Sequence, residues 1–215
     1  MTKNTDLTQF LGMHYCQKGQ NFSHTRIGDS SLNLKGGVYT IEGDDLEIFH
    51  SLYYKEVIKN KKMEFLTEKQ PKESGRVYVD LDFRYNVNIE EKQHDTQWIN
   101  KLVEKYCDEI KNYYEFSDND EIQCYVLEKT NVNLQDEYTK DGIHILFDIN
   151  MNRKLQKELR AKIMINSADL CKELPLINEL DKVFDEGLTK GSTNVQMIGS
   201  RKPGNQKYAL TGITN

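Results

Sequence analysis

Residues 77–85, VYVDLDFRY, decide how the central part of this chain folds. Apolar residues alternate with polar ones along this stretch, which is typical of a β-strand with one face turned to the core. Asp80 and Asp82 stand two positions apart, so both carboxylates project from the same face. Two carboxylates that approach to ~4 Å repel each other by roughly 4 kcal/mol at an effective dielectric constant near 20. The stretch therefore predicts either a cation shared by the two aspartates or an exposed sheet edge at which both are solvated.

The chemistry of the ligands limits which cation such a site would hold. Carboxylate oxygens favour Mg²⁺ or Mn²⁺ over zinc, and sites with two divalent cations hold them ~3.5–4 Å apart. Because such sites favour more than two acidic ligands, a third carboxylate is expected elsewhere in the chain. The segment NELDKVFDEGL, residues 178–188, offers Asp181 and Asp185.

Length and composition indicate a globular protein. The chain has 215 residues, of which 37% are hydrophobic and 29% charged, enough for one large domain or two small ones. Its net charge of −5 neither indicates nor excludes a nucleic-acid partner, because phosphate contacts depend on local basic patches. The four cysteines are scattered, which favours reduced thiols over a zinc site. Since no apolar run approaches the ~20 residues that span a bilayer, we expect a soluble, intracellular protein without a membrane partner.

The order of the predicted elements favours an α+β fold. An N-terminal α/β portion, residues 1–75, contains a short β-type run and a helix that Asp44 or Asp45 caps. The remaining residues, 76–215, form the core, and we expect the N-terminal portion to pack on it as one compact unit. The predicted elements of the core are strand 76–83, an amphipathic helix within 95–116, strands 122–129 and 142–149, a helix capped by Asn150, a shorter helical piece from Pro175 to Phe184, and a terminal strand–glycine turn–strand. Strands that follow one another directly argue against a doubly wound parallel sheet, so we expect mixed or antiparallel sheets with flanking helices.

The stretch KDGIHILFDI, residues 140–149, brings a histidine onto a strand. Alternate residues from Ile143 to Phe147 share one wholly apolar face, so His144 projects from the opposite face with Gly142 beside it. A glycine at that position leaves space for a ligand, and Lys140 could reach the same region. A lone histidine is also common as a structural residue, so a binding role and a structural role both remain open.

The segment MIGSRKPGNQKY, residues 197–208, combines small and basic residues. Ser200, Arg201 and Lys202 lie between two glycines, which would let a phosphate approach backbone N–H groups and cationic side chains. A basic turn of this kind can equally be a solubilising loop.

Taken in chain order, these motifs resemble the catalytic core of the archaeo-eukaryotic primase superfamily. The likeness is greatest to the primase part of primase–helicases of large nucleocytoplasmic DNA viruses. VYVDLDF resembles the family's strand with two aspartates, and GIH resembles its small residue–any residue–histidine motif. DEGLTKGSTNVQMIGSRKPG, residues 185–204, resembles its aspartate followed by a strand that ends in Gly-Ser-x-Lys. With SHTRIG, GGVYTI and FLTEKQ upstream, the resemblance extends from about residue 22 to 211.

The resemblance implies a DNA primase or primase–polymerase with an RRM-like catalytic unit of mixed or antiparallel sheets. Its implied reaction is template-directed transfer of an NTP or dNTP to a 3′-hydroxyl at two divalent cations, Mg²⁺ or Mn²⁺. The implied cation ligands and catalytic residues are Asp80, Asp82 and Asp185, with Asp181 as the rival for the third position. The implied nucleotide-binding residues are His144, Lys140, Gly142, Ser200, Arg201 and Lys202. Gly142 departs from many relatives, which have a serine there, so no hydroxyl is available to a phosphate at that position.

The resemblance also implies partners. A single-stranded DNA template and a primer would lie along a groove, with Arg84 and Arg26 as candidate nucleic-acid contacts. A helicase domain is expected downstream in a longer chain of which these residues are the front part. If the protein is viral, the cytoplasm or nucleus of an infected cell is the expected location.

Two other functions compete with priming. A D-x-D strand also occurs in metal-dependent transferases that use sugar nucleotides, but these would require a parallel nucleotide-binding sheet. A non-catalytic nucleic-acid-binding module with a decayed site is the other alternative, and the intact aspartates and histidine argue against decay.

Overall fold

The computed structural model describes residues 6–17, 19–117 and 121–214, and these form two compact units. Unit 1 comprises Met1–Lys69 and Asn194–Tyr208, and unit 2 comprises Gln70–Thr193 and Ala209–Asn215. The sequence predicts one boundary near residue 75, whereas in the structure residues 194–208 belong to the same unit as the N-terminal part.

Unit 1 is an antiparallel sheet with two helices. Its helices are α1 (Leu7–Met13) and α2 (Asp44–Tyr53), the second continuing as a π-helical segment, Tyr54–Lys59. Its strands are β1 (Tyr15–Cys16), β2 (His24–Arg26), β3 (Gly37–Tyr39), β4 (Leu66–Glu68) and β9 (Val195–Gln196), arranged in the order β1-β3-β2-β4-β9. A single-turn 3₁₀ helix, Ser30–Leu32, lies between β2 and β3. The core contains Leu7, Phe10, Leu11, Tyr39, Ile41, Phe49, Tyr53, Val57 and Leu66.

The start of α2 corrects one prediction. The helix follows Gly43, which has φ 58° and provides no side-chain cap, so neither predicted aspartate caps the helix. Asp44 and Asp45 instead occupy its first turn, where negative charge interacts favourably with the helix dipole. A glycine suits the position before the helix because its φ lies in the left-handed region.

Unit 2 is a second antiparallel sheet with helices packed on it. Its strands are β5 (Ser74–Tyr85), β6 (Cys124–Glu128), β7 (Asn133–Leu134), β8 (Thr139–Asn152) and β10 (Ala209–Thr214), in the order β10-β6-β8-β5 with β7 paired to β8. Its helices are α3 (Thr96–Lys111), α4 (Arg153–Asn166), α5 (Ala168–Cys171) and α6 (Leu180–Val183). Helices and antiparallel sheets together confirm the predicted α+β class.

The core of unit 2 lies on one face of its sheet. Val77, Val79, Leu81, Phe83 and Tyr85 alternate along β5, and all five are buried. They share a cluster with the apolar residues of β8, Ile143, Ile145 and Phe147, and with those of α3, Trp98, Ile99, Leu102, Val103, Tyr106 and Ile110. The predicted amphipathic helix is thus confirmed, and the opposite face of β5 and β8 is left for polar side chains.

Three further predictions are wrong in detail. The helix after β8 begins at Arg153 and is capped by Asn152, whose Oδ1 accepts from Leu155 N at 2.9 Å, because β8 runs past Asn150. The helical piece after Pro175 is confined to Leu180–Val183. The two terminal strands do not form a hairpin.

The terminal strands separate because each finds a partner elsewhere. β9 pairs with β4 in unit 1, whereas β10 pairs with β6 in unit 2. The glycine-containing turn between them, with Gly199 and Gly204 at positive φ, therefore connects two sheets. Local turn residues could not reveal this, since strand partners are chosen by long-range pairing.

Candidate functional site

The candidate site lies on the face of unit 2's sheet that points away from the apolar core. β5 and β8 pair with Asp80 opposite His144 and Asp82 opposite Gly142. The two aspartates are partly exposed, while the β5 residues between and beside them are buried. The predicted alternation of VYVDLDFRY thus has the expected result, and both acids share one face with the histidine.

Asp80 contacts His144 directly. Its Oδ1 lies 3.3 Å from His144 Nε2, and His144 is only 8% exposed. The ring of Tyr78 meets the imidazole edge-on, with 5.7 Å between ring centroids. The imidazole is therefore oriented by Asp80 on one side and an aromatic ring on another.

Asp82 forms a two-oxygen ion pair with Lys140. The Lys140 ammonium lies 2.9 Å from both Oδ1 and Oδ2 of Asp82. Both side chains remain partly exposed, so solvent screens the pair and its contribution to stability is small. Its local effect is to offset the repulsion between the two aspartates that the sequence predicts.

Asp185 lies on the other side of Asp80. An isolated antiparallel bridge joins Leu81 to Phe184, and the backbone N–H of Asp185 donates to the carbonyl of Asp80 at 2.9 Å. Residues opposed in an antiparallel bridge project to the same side, so Asp185 is a cross-strand neighbour of Asp80. Its exposed carboxylate accepts from the backbone N–H of Gly187 at 2.6 Å.

Arg160 of α4 holds the segment that carries Asp185. Its Nε donates to the carbonyl of Phe184 at 2.7 Å, and its Nη2 donates to that of Asp181 at 2.9 Å. The side chain of Asp181, the rival third acid, is exposed and pairs with Lys182 at 3.1 Å. Asp80, Asp185 and Arg160 line one cleft, and Asp181 is absent from its lining.

The carboxylates can accept a divalent cation only with additional ligands. Within residues 6–17, 19–117 and 121–214, no three His, Cys, Asp or Glu side chains are close enough together to hold one metal ion. Mg²⁺ commonly binds through one or two carboxylates and completes its octahedron with substrate phosphates and water. The donor set of Asp80 and Asp82 fits that mode of binding.

Lys129 belongs to the same face, although its sequence position does not mark it as functional. β6 pairs with β8 so that Leu127 lies opposite His144 and Glu128, the last residue of β6, lies opposite Ile143. Lys129 is the next residue, and the same register continues from it toward Gly142. Lys129 is only 8% exposed. The alternation of the predicted strand 122–129 could have revealed it, because Lys129 stands two residues after Leu127 and so follows the same face.

Burial and nearby charges shift the pKa of Lys129. Burial lowers the pKa of its ammonium, and the neighbouring Lys140 lowers it further. The carboxylates of Asp82, Asp141 and Asp80 act in the opposite direction. The site therefore contains two lysines of different exposure beside the same pair of acids.

A second charged cluster lies on the core side of the sheet, and the sequence patterns do not reveal it. Glu128 Oε1 lies 2.9 Å from His94 Nε2 and 2.8 Å from the Lys92 ammonium, and its Oε2 accepts from the Thr211 hydroxyl at 2.6 Å. The hydrogen bond with His94 is the main cause that lowers the pKa of Glu128 to about 2; those with Lys92 and Thr211 add to it, and burial opposes it. Asp141 Oδ2 lies 3.5 Å from His94 Nδ1. Through His94 the cluster links Glu128 of β6 to Asp141 of β8, so we interpret it as supporting the fold.

The predicted basic turn lies in unit 1, where the hydroxyl of its serine already has hydrogen-bond partners. Ser200 is fully buried, its Oγ accepts from Leu66 N at 3.0 Å, and the Tyr53 hydroxyl lies 3.0 Å from it. The backbone N–H of Arg201 donates to the carbonyl of Glu64 at 3.0 Å. Lys202 is exposed. A hydroxyl with these contacts supports the turn, so we do not assign Ser200 to a phosphate.

The two arginines predicted to contact nucleic acid differ in exposure. Arg26 forms a forked pair with Glu64, Nε to Oε1 and Nη2 to Oε2 both at 3.0 Å, with side chains only 2% and 1% exposed. Burial leaves that guanidinium no surface to offer a strand of DNA. Arg84 is partly exposed, lies two residues beyond Asp82 on the same face, and stacks over the ring of Tyr138 at 4.8 Å.

Two comparisons with known proteins give matches over most of the chain. A family model described as the C962R protein N-terminal AEP domain, where AEP denotes archaeo-eukaryotic primase, matches residues 28–214. A protein named "Putative helicase L207/L206", from Acanthamoeba polyphaga mimivirus, is 29% identical over 198 residues. That alignment covers 88% of this chain but 20% of the mimivirus protein, so the chain spans about a fifth of the relative's length. None of the helices in the described parts of the chain has the length and apolar character needed to cross a membrane.

Proposed function

Because the chain belongs to the C962R protein N-terminal AEP domain family, we propose that it is a primase or primase–polymerase domain. It would join an NTP or dNTP to a 3′-hydroxyl under the direction of a DNA template. The observation that carries this proposal is a row of three residues across the sheet: His144 and Asp185 flank Asp80 from opposite sides. One residue from each of three motifs that are far apart in the sequence takes part in this row, which a collection of unrelated surface residues would not do.

Asp80, Asp82 and Asp185 are the proposed ligands of two divalent cations, Mg²⁺ or Mn²⁺. Such cations, when bound, would lower the pKa of the attacking 3′-hydroxyl and stabilise the pyrophosphate that leaves. Lys140 offsets the repulsion of the two β5 acids when the site holds no cation, through its two contacts of 2.9 Å with Asp82.

His144 and Lys140 are the proposed contacts of the nucleotide phosphates. Both can donate hydrogen bonds to anionic oxygens, and such charge-assisted bonds are stronger than neutral ones. Gly142 lies between them on β8 without a side chain, which leaves room for the phosphates.

Arg84 and Tyr138 are the proposed contact with single-stranded template or primer. A cation stacked on an aromatic ring beside a phosphate-binding site suits nucleic acid, whose bases stack and whose backbone is anionic. The mimivirus relative is named a helicase and is about five times as long as the region it shares with this chain. We therefore propose that the chain is one part of a longer viral protein that also carries a helicase.

Synthesis assays test the reaction. The chain would be incubated with single-stranded DNA, labelled NTPs or dNTPs, and Mg²⁺ or Mn²⁺, with and without an annealed primer. Template-dependent oligonucleotide products are expected. Asp185→Asn should lower synthesis by at least about 100-fold, since it removes a cation ligand. Asp181→Asn is the matched control on the same segment and should keep synthesis within about twofold of the wild type.

Two results would contradict the proposal. One is the absence of products from the intact chain in either metal, whether or not a primer is supplied. The other is an equal effect of the two substitutions. Undiminished DNA binding by an Asp80→Ala/Asp82→Ala variant, together with no synthesis by the wild type, would support the non-catalytic binding module instead.

A further inference from the structure

We infer that Lys129 is a phosphate-binding residue of this site and that it makes cation binding dependent on the nucleotide. The inference rests on the proposed function and extends it to a residue that none of the three motifs contains. It concerns the binding of the cation and the nucleotide, which can be measured separately from synthesis.

The position of Lys129 follows from the register of three neighbouring strands. β6, β8 and β5 are neighbours in the sheet, with Leu127 opposite His144 and His144 opposite Asp80. The pairing ends with Glu128 opposite Ile143, and continuing that register by one residue beyond β6 aligns Lys129 with Gly142, which lies opposite Asp82. Because Gly142 has no side chain, the Lys129 side chain can extend across β8 toward the aspartates of β5.

Burial distinguishes Lys129 from Lys140. A lysine that is 8% exposed loses most of its hydration, and a buried ammonium is tolerated only near compensating negative charge. The carboxylates of Asp80 and Asp82 supply part of that charge, as their effect on the pKa of Lys129 indicates. Lys140 is partly exposed, so it can move into solvent when Asp82 binds another cation, whereas Lys129 cannot.

A divalent cation and the Lys129 ammonium would therefore compete for the same carboxylates, and a bound nucleotide would relieve that competition. A divalent cation bound by Asp80 and Asp82 neutralises the charge that compensates Lys129 and is itself repelled by the ammonium. The triphosphate of an incoming nucleotide supplies new negative charge to both. Lys129 should therefore weaken the binding of a cation alone and strengthen the binding of a cation together with a nucleotide.

Substituting Lys129→Met removes the charge and keeps the length of the side chain. Binding of Mn²⁺ alone would be followed by electron paramagnetic resonance. Binding of a non-hydrolysable dNTP analogue in the presence of Mn²⁺ would be followed by calorimetry. We expect Mn²⁺ alone to bind more tightly than to the wild type, and the nucleotide to bind roughly 10- to 100-fold more weakly. Unchanged Mn²⁺ affinity would overturn the competition between Lys129 and the cation.

Three controls separate this role from a structural one. Lys101→Met removes an exposed lysine of α3, paired with Glu173 at 3.6 Å, and should change neither affinity. Lys129→Arg keeps the charge and should hold nucleotide affinity within about threefold of the wild type. Thermal unfolding of each variant would show whether unit 2 remains folded.

The inference is overturned if Lys129→Met binds the nucleotide as the wild type does, or if both affinities fall together with the unfolding temperature. It is also overturned if the wild type binds no nucleotide with Mn²⁺. A wild type that binds the nucleotide but synthesises no product would contradict the proposed function and leave the inference standing. Synthesis by the wild type, together with unchanged nucleotide binding by Lys129→Met, would support the proposed function and overturn the inference.

Discussion

Unit 1 and unit 2 each contain an acid–base pair that involves a strand residue, but the pairs differ in how much of each side chain reaches solvent. In unit 1, Arg26 and Glu64 are almost completely buried, and each of the two contacts between their charged groups is 3.0 Å long. In unit 2, Asp82 and Lys140 keep about a quarter of each side chain exposed. Separating the charged groups of a buried pair has a large free-energy cost, whereas the groups of a partly exposed pair can separate and bind other ions at little cost. The comparison indicates that the first pair supports the fold and that the second is available to a ligand.

The largest expected contrast comes from removing charge at the unit 2 site. Asp80→Asn or Asp82→Asn should lower nucleotide incorporation by roughly 1,000-fold, because the variants lose a cation ligand. The free energy of unfolding should change by no more than about 1 kcal/mol, since both side chains are partly exposed and two of the three carboxylates near Lys129 remain in each variant. Urea unfolding followed by fluorescence of Trp98, the single tryptophan of the chain, would measure the stability of unit 2.

Asp148→Asn is the matched control for that experiment. Asp148 is an exposed aspartate of β8 that pairs with Arg76 at 3.1 Å. Both incorporation and stability should remain close to those of the wild type. Loss of folding in Asp80→Asn or Asp82→Asn would show that these aspartates support the fold and would remove the contrast between the units.

The reverse contrast is expected in unit 1. Glu64→Gln leaves the Arg26 guanidinium buried without a negative partner, which should destabilise the protein by about 3–5 kcal/mol. Asp45→Asn, which removes a half-exposed partner of His14 in the same unit, should cost about 1 kcal/mol or less. Hydrogen exchange of residues 24–68, followed by mass spectrometry, would measure both. Equal protection in the two variants would contradict the structural role of the buried pair.

Acid should affect the two units in different pH ranges. Burial, aided by the nearby His50, lowers the pKa of His24 in unit 1 from 6.5 to about 4. Between these values the unfolded chain binds a proton that the folded chain does not, so stability falls as the pH drops from about 6.5 to 4, by up to roughly 3 kcal/mol. In unit 2 the folded pKa of Glu128 is also below its unfolded value, 4.5, so the stabilisation it provides is complete above pH 4.5 and is lost as the pH falls toward 2.

The two ranges can be separated with one variant. Hydrogen exchange corrected for the intrinsic rate should show unit 1 losing protection below pH 6.5, while the fluorescence of Trp98 stays native down to about pH 4.5. His24→Gln should abolish the dependence between pH 6.5 and 4 and leave the lower range unchanged. A wild type in which both probes change at the same pH would show that the units do not respond independently.

The smallest expected effect concerns Arg160, a positioning residue. Arg160→Gln removes two hydrogen bonds to the carbonyls of the segment that ends at Asp185, so synthesis should fall by about tenfold. The Mn²⁺ concentration needed for half-maximal synthesis should rise, because Asp185 is less well placed. Arg160→Lys should restore part of the loss. An unchanged metal requirement in Arg160→Gln would indicate that the residue acts only on stability.

Local patterns predicted the elements of unit 2 well and its long-range partners poorly. The alternation of β5 and the helical spacing of α3 are encoded in neighbouring residues, and both predictions are confirmed. The pairing of β10 with β6 and of β9 with β4 depends on residues far away in the chain, so a hairpin was the wrong prediction for residues 194–214. The cap of α4 was missed for a related reason, since pairing with β5 extends β8 to Asn152.

The sequence by itself determined that two aspartates share one face of a strand, that a histidine projects from the polar face of another, and that the motifs follow in the order of a primase. These features depend on side-chain alternation and on residue type, which neighbouring positions specify. Only the tertiary structure decided that His144 and Asp185 flank Asp80, that Lys129 lies on the same face, and that Arg26 and Ser200 are buried. Register and burial depend on which distant segments pair, and no single segment carries that information.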